Sequence, residues 1–223
     1  MKCIVNVAFG NRYVQGQMRL MNALRRVQRP GEELRTRFYT NGYPSNCPMH
    51  QEVPFAFKAF ALEEASRVSE QLLWLDSCMV PLVPLDRIWE YIKEHGVWFG
   101  RNGFKNSEWT DETTLADLFP GVDRQTAKQL NSQVEHVVAG AFALDISHQN
   151  GAAFLQEYYR LASQTRAFCG TIHGPIGVCH RHDQTAASVI CWKLGVPLTT
   201  SPDMFAYRGM EDERTVIVAD GRI

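Results

Sequence analysis

The chain has no long hydrophobic run, no excess of charge of either sign, no glycine-rich nucleotide loop and no cysteine framework. Its opening apolar stretch, residues 3–9 (Cys-Ile-Val-Asn-Val-Ala-Phe), is short and interrupted by Asn6. A secretory leader needs a longer apolar region and a cleavage site, and a membrane span needs ~20 apolar residues. The expectation is therefore a cytoplasmic protein with no membrane partner. Twenty-three Lys and Arg are balanced by 24 Asp and Glu, a net charge of −1, so there is no electrostatic footprint for broad binding to polyanions. Neither G-x-G-x-x-G nor a Walker A pattern occurs, and Gly10 alone resembles a phosphate-loop glycine, which disfavours classical dinucleotide oxidoreductases and P-loop enzymes. Cys3, Cys47, Cys78, Cys169, Cys179 and Cys191 are scattered and read as reduced thiols. Cys169, Cys179, His180 and His182 form C-x9-C-H-x-H, which matches no usual zinc spacing. A thiol hydrolase built on Cys78, His182 and Asp183 has no nucleophile-elbow or oxyanion signal beside it.

What is present is enough for a globular core. Hydrophobic residues are 45% and charged residues 21% of 223, and no repeat divides the chain, so residues 1–223 are expected to form a single domain. Short apolar, β-branched runs predict strands at 3–9, 34–39, 72–76, 97–100 and 215–219, and residues 134–145 form a longer apolar run. Three-to-four spacing predicts helices at 14–27 (Val14, Met18, Met21, Leu24, Val27), 55–68, 86–95, 149–163 and 183–194. Residues 43–54, with three prolines, read as loop; the polar stretch 102–133 holds short helices near 112–118 and 123–131. This alternation predicts an α/β fold with a mainly parallel sheet flanked by helices. In such sheets ligands bind beyond the carboxyl ends of the strands, which gathers the residues after Phe9, those around Tyr39-Thr40, and Asp76 at one cleft.

Three segments carry chemistry. Leu72-Leu73-Trp74-Leu75-Asp76-Ser77-Cys78 ends a buried strand on a carboxylate, which can hold a hard cation against a diphosphate or can cap the next turn. His180-Arg181-His182-Asp183-Gln184-Thr185 precedes an apolar helix: Asp183 suits a general base, Gln184 a hydrogen bond to a polar substrate and Arg181 a phosphate, or the group is an N-cap with solvated neighbours. Val138-Ala139-Gly140-Ala141 allows close approach of a ligand or of a neighbouring strand.

In order, these segments resemble a nucleotide-sugar-dependent glycosyltransferase of GT-A fold, of the glycogenin-like glycosyltransferase family 8 group. Val7-Ala8-Phe9-Gly10-Asn11-Arg12-Tyr13 is similar to the opening strand and tyrosine, Lys58 to the lysine before the D-x-D strand, Asp76-Ser77-Cys78 to the D-x-D motif, Ala139-Gly140 to the strand facing the donor sugar, and Asp183-Gln184 to the D-Q pair. The resemblance implies uridine contacts from Ala8, Phe9 and Tyr13, donor sugar and phosphate contacts from Lys58, and donor binding by Asp76, Ser77, Ala139 and Gly140. It implies catalytic roles for Asp183, Gln184 and Lys58, and Mn2+ or Mg2+ held through Asp76. Two departures stand out. Cys78 replaces the second motif aspartate, and no H-x-G-x-x-K-P motif occurs, His173-Gly174-Pro175 being a faint echo in the wrong order.

The implied activity is transfer of a hexose from a nucleoside diphosphate sugar, UDP-linked, to an acceptor hydroxyl on a glycan, small molecule or protein. The alternatives are a catalytically quiet GT-A relative that binds a nucleotide or glycan, and a nucleotidyltransferase, for which Gly10-Asn11-Arg12-Tyr13 is too short and too poor in glycine. A nucleic-acid acceptor would use Arg25, Arg26, Arg29, Arg35 and Arg37, which otherwise read as a solvated helix face and its loop.

Overall fold

A computed structural model describes residues 1–171 and 179–221. Strand β1 (Lys2–Ala8) leads into helix α1 (Gly10–Val27), β2 (Leu34–Thr40), α2 (Ala56–Ser66) and β3 (Gln71–Leu75). There follow β4 (Met79–Pro81), α3 (Asp86–His95) and β5 (Val97–Lys105). The polar middle forms 3-10 turns at Asn106–Trp109 and Glu112–Thr114, then α4 (Leu115–Leu118) and α5 (Arg124–Gln133). The chain continues through β6 (Glu135–Asp145), α6 (Gln149–Gln164), α7 (His182–Lys193), β7 (Thr199–Thr200), β8 (Met204–Tyr207) and β9 (Thr215–Ala219).

The main sheet has the order β2-β1-β3-β6-β5-β7. β1 pairs in parallel with β2 and β3, and β7 in parallel with β5, while β6 runs antiparallel to both its neighbours. Only β6 is reversed. β4, β9 and β8 make a second small sheet.

Side chains alternate across the strands, so each strand feeds two cores. Cys3, Val5, Val7, Leu72 and Trp74 pack with α2, α6 and α7 on one face. Ile4, Leu73 and Leu75 pack with Leu20 and Leu24 of α1 and with Ile88, Trp89 and Ile92 of α3 on the other. Layers on both faces explain why Leu72, Leu73, Trp74 and Leu75 form an unbroken buried run.

Several expectations need correction. α1 starts at Gly10 and not at residue 14, and its inward stripe is Gly16, Gln17, Leu20, Ala23 and Leu24, with Met18 58% exposed. Gln17 is drawn inward because its amide donates to Asn6 Oδ1 (2.7 Å) and to the Tyr39 carbonyl (3.0 Å), a polar tie that apolar periodicity cannot register. β5 extends to Lys105, and β4, β7 and β8 are two to four residues long, too short for a periodic signal. The arginine group is divided: Arg29 pairs with Asp86 (2.7 Å) and Arg37 with Glu64 (2.6 Å). Among the described residues no helix is long and apolar enough to cross a membrane.

Candidate active site

The carboxyl end of β1 is set by a tight reciprocal tie to β2. Gly10, at φ +74°, donates its N–H to Asn41 Oδ1 (3.0 Å), and Asn41 donates its own to the Ala8 carbonyl (2.8 Å). A positive φ is where glycine is least strained, so the chain can turn straight from strand into α1. Phe9 and Tyr13 are thereby placed at the mouth of a cavity of about 360 Å³, walled also by Tyr43, Phe55 and Phe57 and floored by Lys58, Asp76, Ser77 and Cys78. Phe9 and Tyr43 lie 4.1 Å apart, centroid to centroid.

A second cavity of about 310 Å³ adjoins it. Its wall comes from Ala139 and Gly140 of β6 and from residues 179–184, and it shares Phe55, Lys58 and Asp76 with the first. The structure thus brings Phe9, Tyr13, Lys58, Asp76 and Ser77 to one cavity, and Lys58, Asp76, Ala139, Gly140, Asp183 and Gln184 to the other. Ala8 lines neither; it is buried, and its carbonyl accepts the Asn41 N–H.

Lys58 is the hub between the cavities. Its side chain is 4% exposed, with Nζ 2.9 Å from Asp183 Oδ2, 3.2 Å from Asp76 Oδ1 and donating to the Ala139 carbonyl at 2.8 Å. Three acceptors therefore surround an ammonium that has three protons. Burial lowers its proton affinity, but Asp183 and Asp76 more than reverse this and hold Lys58 above the usual lysine value. Trp74 faces the same ammonium at 5.4 Å and donates its indole N–H to Asp76 Oδ1 (2.7 Å). Neither carboxylate takes the capping role that a strand-end or helix-start acid often fills. Asp183 sits in the first turn of α7, where the helix dipole favours negative charge, yet its carboxylate goes to Lys58. Tyr158, fully buried nearby, is pushed well above 10 by burial and then by Asp183 and Asp76.

Gly140 lines the polar cavity and leaves no room for a side chain. A Cβ there would lie 2.4 Å from Met79 Cε and 3.2 Å from Asp76 Oδ2. Gln184 donates its amide to the Val137 carbonyl, which seats it on β6.

The donor set does not suit a divalent cation. Asp76 already shares its charge with Lys58, and the Cys78 thiol is pushed up to about 11 by burial and by Asp76, so it is protonated at neutral pH. Hard Mg2+ and Mn2+ also prefer oxygen to sulfur. Among the described residues no three His, Cys, Asp or Glu side chains gather to hold a metal. The same raised thiol argues against a Cys78 nucleophile. His173-Gly174-Pro175 lies outside the described residues.

No family model matches the chain, and no curated protein matches it in sequence. Solved structures do. Mouse xyloside xylosyltransferase 1 aligns over 99% of this chain and 97% of its own, with a TM-score of 0.56 at 8% identity. The galactosyltransferase LgtC, solved with donor and acceptor sugar analogues, aligns over 98% of this chain and 87% of its own (TM-score 0.52, 10% identity). The bifunctional glycosyltransferase WbbM aligns over 97% of this chain (TM-score 0.54, 9% identity), which spans 45% of WbbM. The chain has the GT-A fold. As expected from the strand order of a GT-A sheet, the shared cleft lies beyond the carboxyl ends of β1 and β3.

Two buried histidines flank this GT-A cleft and give it an acid limit. His180 and His136 are each 1% exposed. Burial first lowers His180 to about 4; it lowers His136 to about 3, with Arg181 adding to the effect. His180 is fixed as a neutral ring, since Nδ1 accepts the Asp111 N–H (3.3 Å) and Nε2 lies 2.8 Å from the Ala167 carbonyl. Below the unfolded value of 6.5 the unfolded chain binds more protons than the folded one. Stability is therefore full above 6.5 and is lost as pH falls towards 4. Melting curves at about pH 7.5 and about pH 5.5 should differ by an amount on the order of 1–3 kcal/mol in stability. A melting temperature unchanged over that interval would contradict the assignment.

Proposed function

We propose that the chain transfers a hexose from a nucleoside diphosphate sugar, UDP-linked, to an acceptor hydroxyl of a glycan, small molecule or protein. One observation carries this reading: two adjoining cavities of different lining that share Lys58 and Asp76. The aromatic walls of the first suit a flat base and its ribose. The polar second cavity has room for a hexose, and the junction falls where a diphosphate and the anomeric carbon would meet. LgtC, of the same fold, has been solved with donor and acceptor sugar analogues.

In this reading Asp76 offers its Oδ2 to a ribose or sugar hydroxyl. Lys58 holds the two carboxylates in place, and Asp183 with Gln184 orients sugar and acceptor. The C1–O bond to the diphosphate breaks with its electron pair on the departing oxygen, and the acceptor oxygen bonds to C1. With inversion the acceptor proton passes to Asp183; with retention it passes to the leaving diphosphate. The charge that develops on that leaving group is what the site must stabilise.

Isothermal titration with uridine, UDP and UDP-glucose, in EDTA and in Mn2+, tests this. UDP and UDP-glucose should bind with Kd between about 1 μM and 1 mM, a usual range for enzyme substrates. Absence of binding by any nucleotide sugar would contradict it. A second reading, a donor-binding protein without turnover, is favoured by Cys78 in place of a carboxylate, and a UDP-release assay separates the two.

A further inference from the structure

For the proposed reaction, the junction between the cavities presents an electrostatic problem. Asp76, Asp183 and Lys58 together leave one negative charge in excess, and the Lys58 ammonium is already engaged by both carboxylates and the Ala139 carbonyl. A diphosphate entering there would meet repulsion from the carboxylates and a lysine whose charge is already shared. The described residues there also suit no divalent cation.

Arg181 stands in the wall of the polar cavity. Among the described residues it is, apart from Lys58, the only Lys or Arg lining either half of the cleft. Its guanidinium lies 4.4 Å from the centroid of Trp109 and forms no ion pair among the described residues. Stacking on a ring engages the face of a guanidinium and leaves its in-plane N–H donors free, the fork that matches phosphate oxygens. The root of the side chain is anchored: Arg181 N–H donates to the Trp109 carbonyl (3.1 Å), and Thr185 Oγ1 donates to the same oxygen (2.8 Å). Trp109 belongs to a segment held by buried Asn106, whose N–H donates to the Val134 carbonyl (2.8 Å) and whose amide donates to Asn131 (2.8 Å). Arg181 is therefore a preorganised cation with no acid partner among the described residues, in the wall of the polar half of the cleft.

We propose that Arg181 is the catalytic cation of this site: its guanidinium pairs with the donor diphosphate and stabilises the charge on that group as it leaves. This rests on the proposed glycosyl transfer and extends it to a metal-independent reaction. Arg181 exchanges no proton or electron; it receives the oxygen on which the electron pair of the broken C1–O bond comes to rest.

The test measures UDP release from UDP-sugars by the wild type, Arg181→Gln and Arg181→Lys, in EDTA and in Mn2+, with uridine and UDP binding measured alongside. Wild-type turnover should persist in EDTA and rise no more than about twofold with Mn2+. Arg181→Gln should lower kcat by roughly 10²–10³-fold, the usual loss when one preorganised donor to a developing charge is removed. UDP should bind about tenfold more weakly to it, while uridine affinity stays unchanged and reports an intact fold; Arg181→Lys should recover part of kcat. Turnover that is lost in EDTA and restored by Mn2+, or an Arg181→Gln enzyme with wild-type kcat, would overturn the proposal alone. UDP binding without turnover of any donor would overturn the catalytic role while leaving the nucleotide site. Failure of the wild type to bind either uridine or UDP would overturn both readings.

Discussion

Replacing Lys58 with Met should cost about 3–5 kcal/mol of folding stability and abolish donor turnover. The side chain is almost wholly buried and, among the described residues, is the only positive charge paired with Asp76 and Asp183. Removing it leaves two carboxylates close together, one of them 6% exposed, with no counter-charge. That is the expensive way to break a buried ion pair, because desolvation of the remaining charges is no longer offset. The methionine fills similar volume, so packing loss is small, and the penalty reports charge. A Lys58→Met, Asp183→Asn double variant should recover at least half of the lost stability without recovering activity. Urea unfolding of the three proteins checks this; a Lys58→Met protein within about 1 kcal/mol of wild type would mean that the hub contributes little.

Gly140→Val should crowd the polar half of the cleft. Its first side-chain carbon would stand 2.4 Å from Met79 Cε and 3.2 Å from Asp76 Oδ2. Met79 has a flexible end that can yield, and valine suits a strand, so the fold should survive with a melting temperature within a few degrees. Gly140 lines the polar cavity and not the aromatic one. UDP affinity should therefore stay within about threefold, while kcat/KM for UDP-glucose falls by roughly 10²-fold, the cost of a donor misplaced by about an ångström. Equal losses of UDP and UDP-glucose binding would mean that the sugar does not occupy the polar half.

Apolar runs and strand-end residues made the sheet legible in the sequence. Leu72-Leu73-Trp74-Leu75 could only be a strand covered on both faces, and Asp76 at its end marked the cleft. Residues that act through polar ties were not legible. Met18 fits an apolar stripe yet is exposed, because Gln17 is claimed by Asn6 and Tyr39. The prolines before residue 55 marked a loop but gave no sign that Tyr43 closes over Phe9. Trp74 read as core, although its indole N–H is a ligand of Asp76. Arg181 read as a candidate phosphate partner, or as a solvated neighbour of a helix cap. Its distinction, a ring beneath it and no acid beside it, arises from Trp109, 72 positions earlier in the chain.

The central claim is that one bipartite cleft holds a nucleotide sugar with its base in the aromatic half and its hexose in the polar half. A crystal structure of the chain with UDP-glucose in EDTA tests it most directly. The account predicts uracil beside Phe9 and Tyr13, the hexose against Ala139 and Gly140, and the diphosphate oxygens on the Arg181 guanidinium with no metal between them. Uracil outside the aromatic half, or a hexose that leaves the polar half empty, would contradict it.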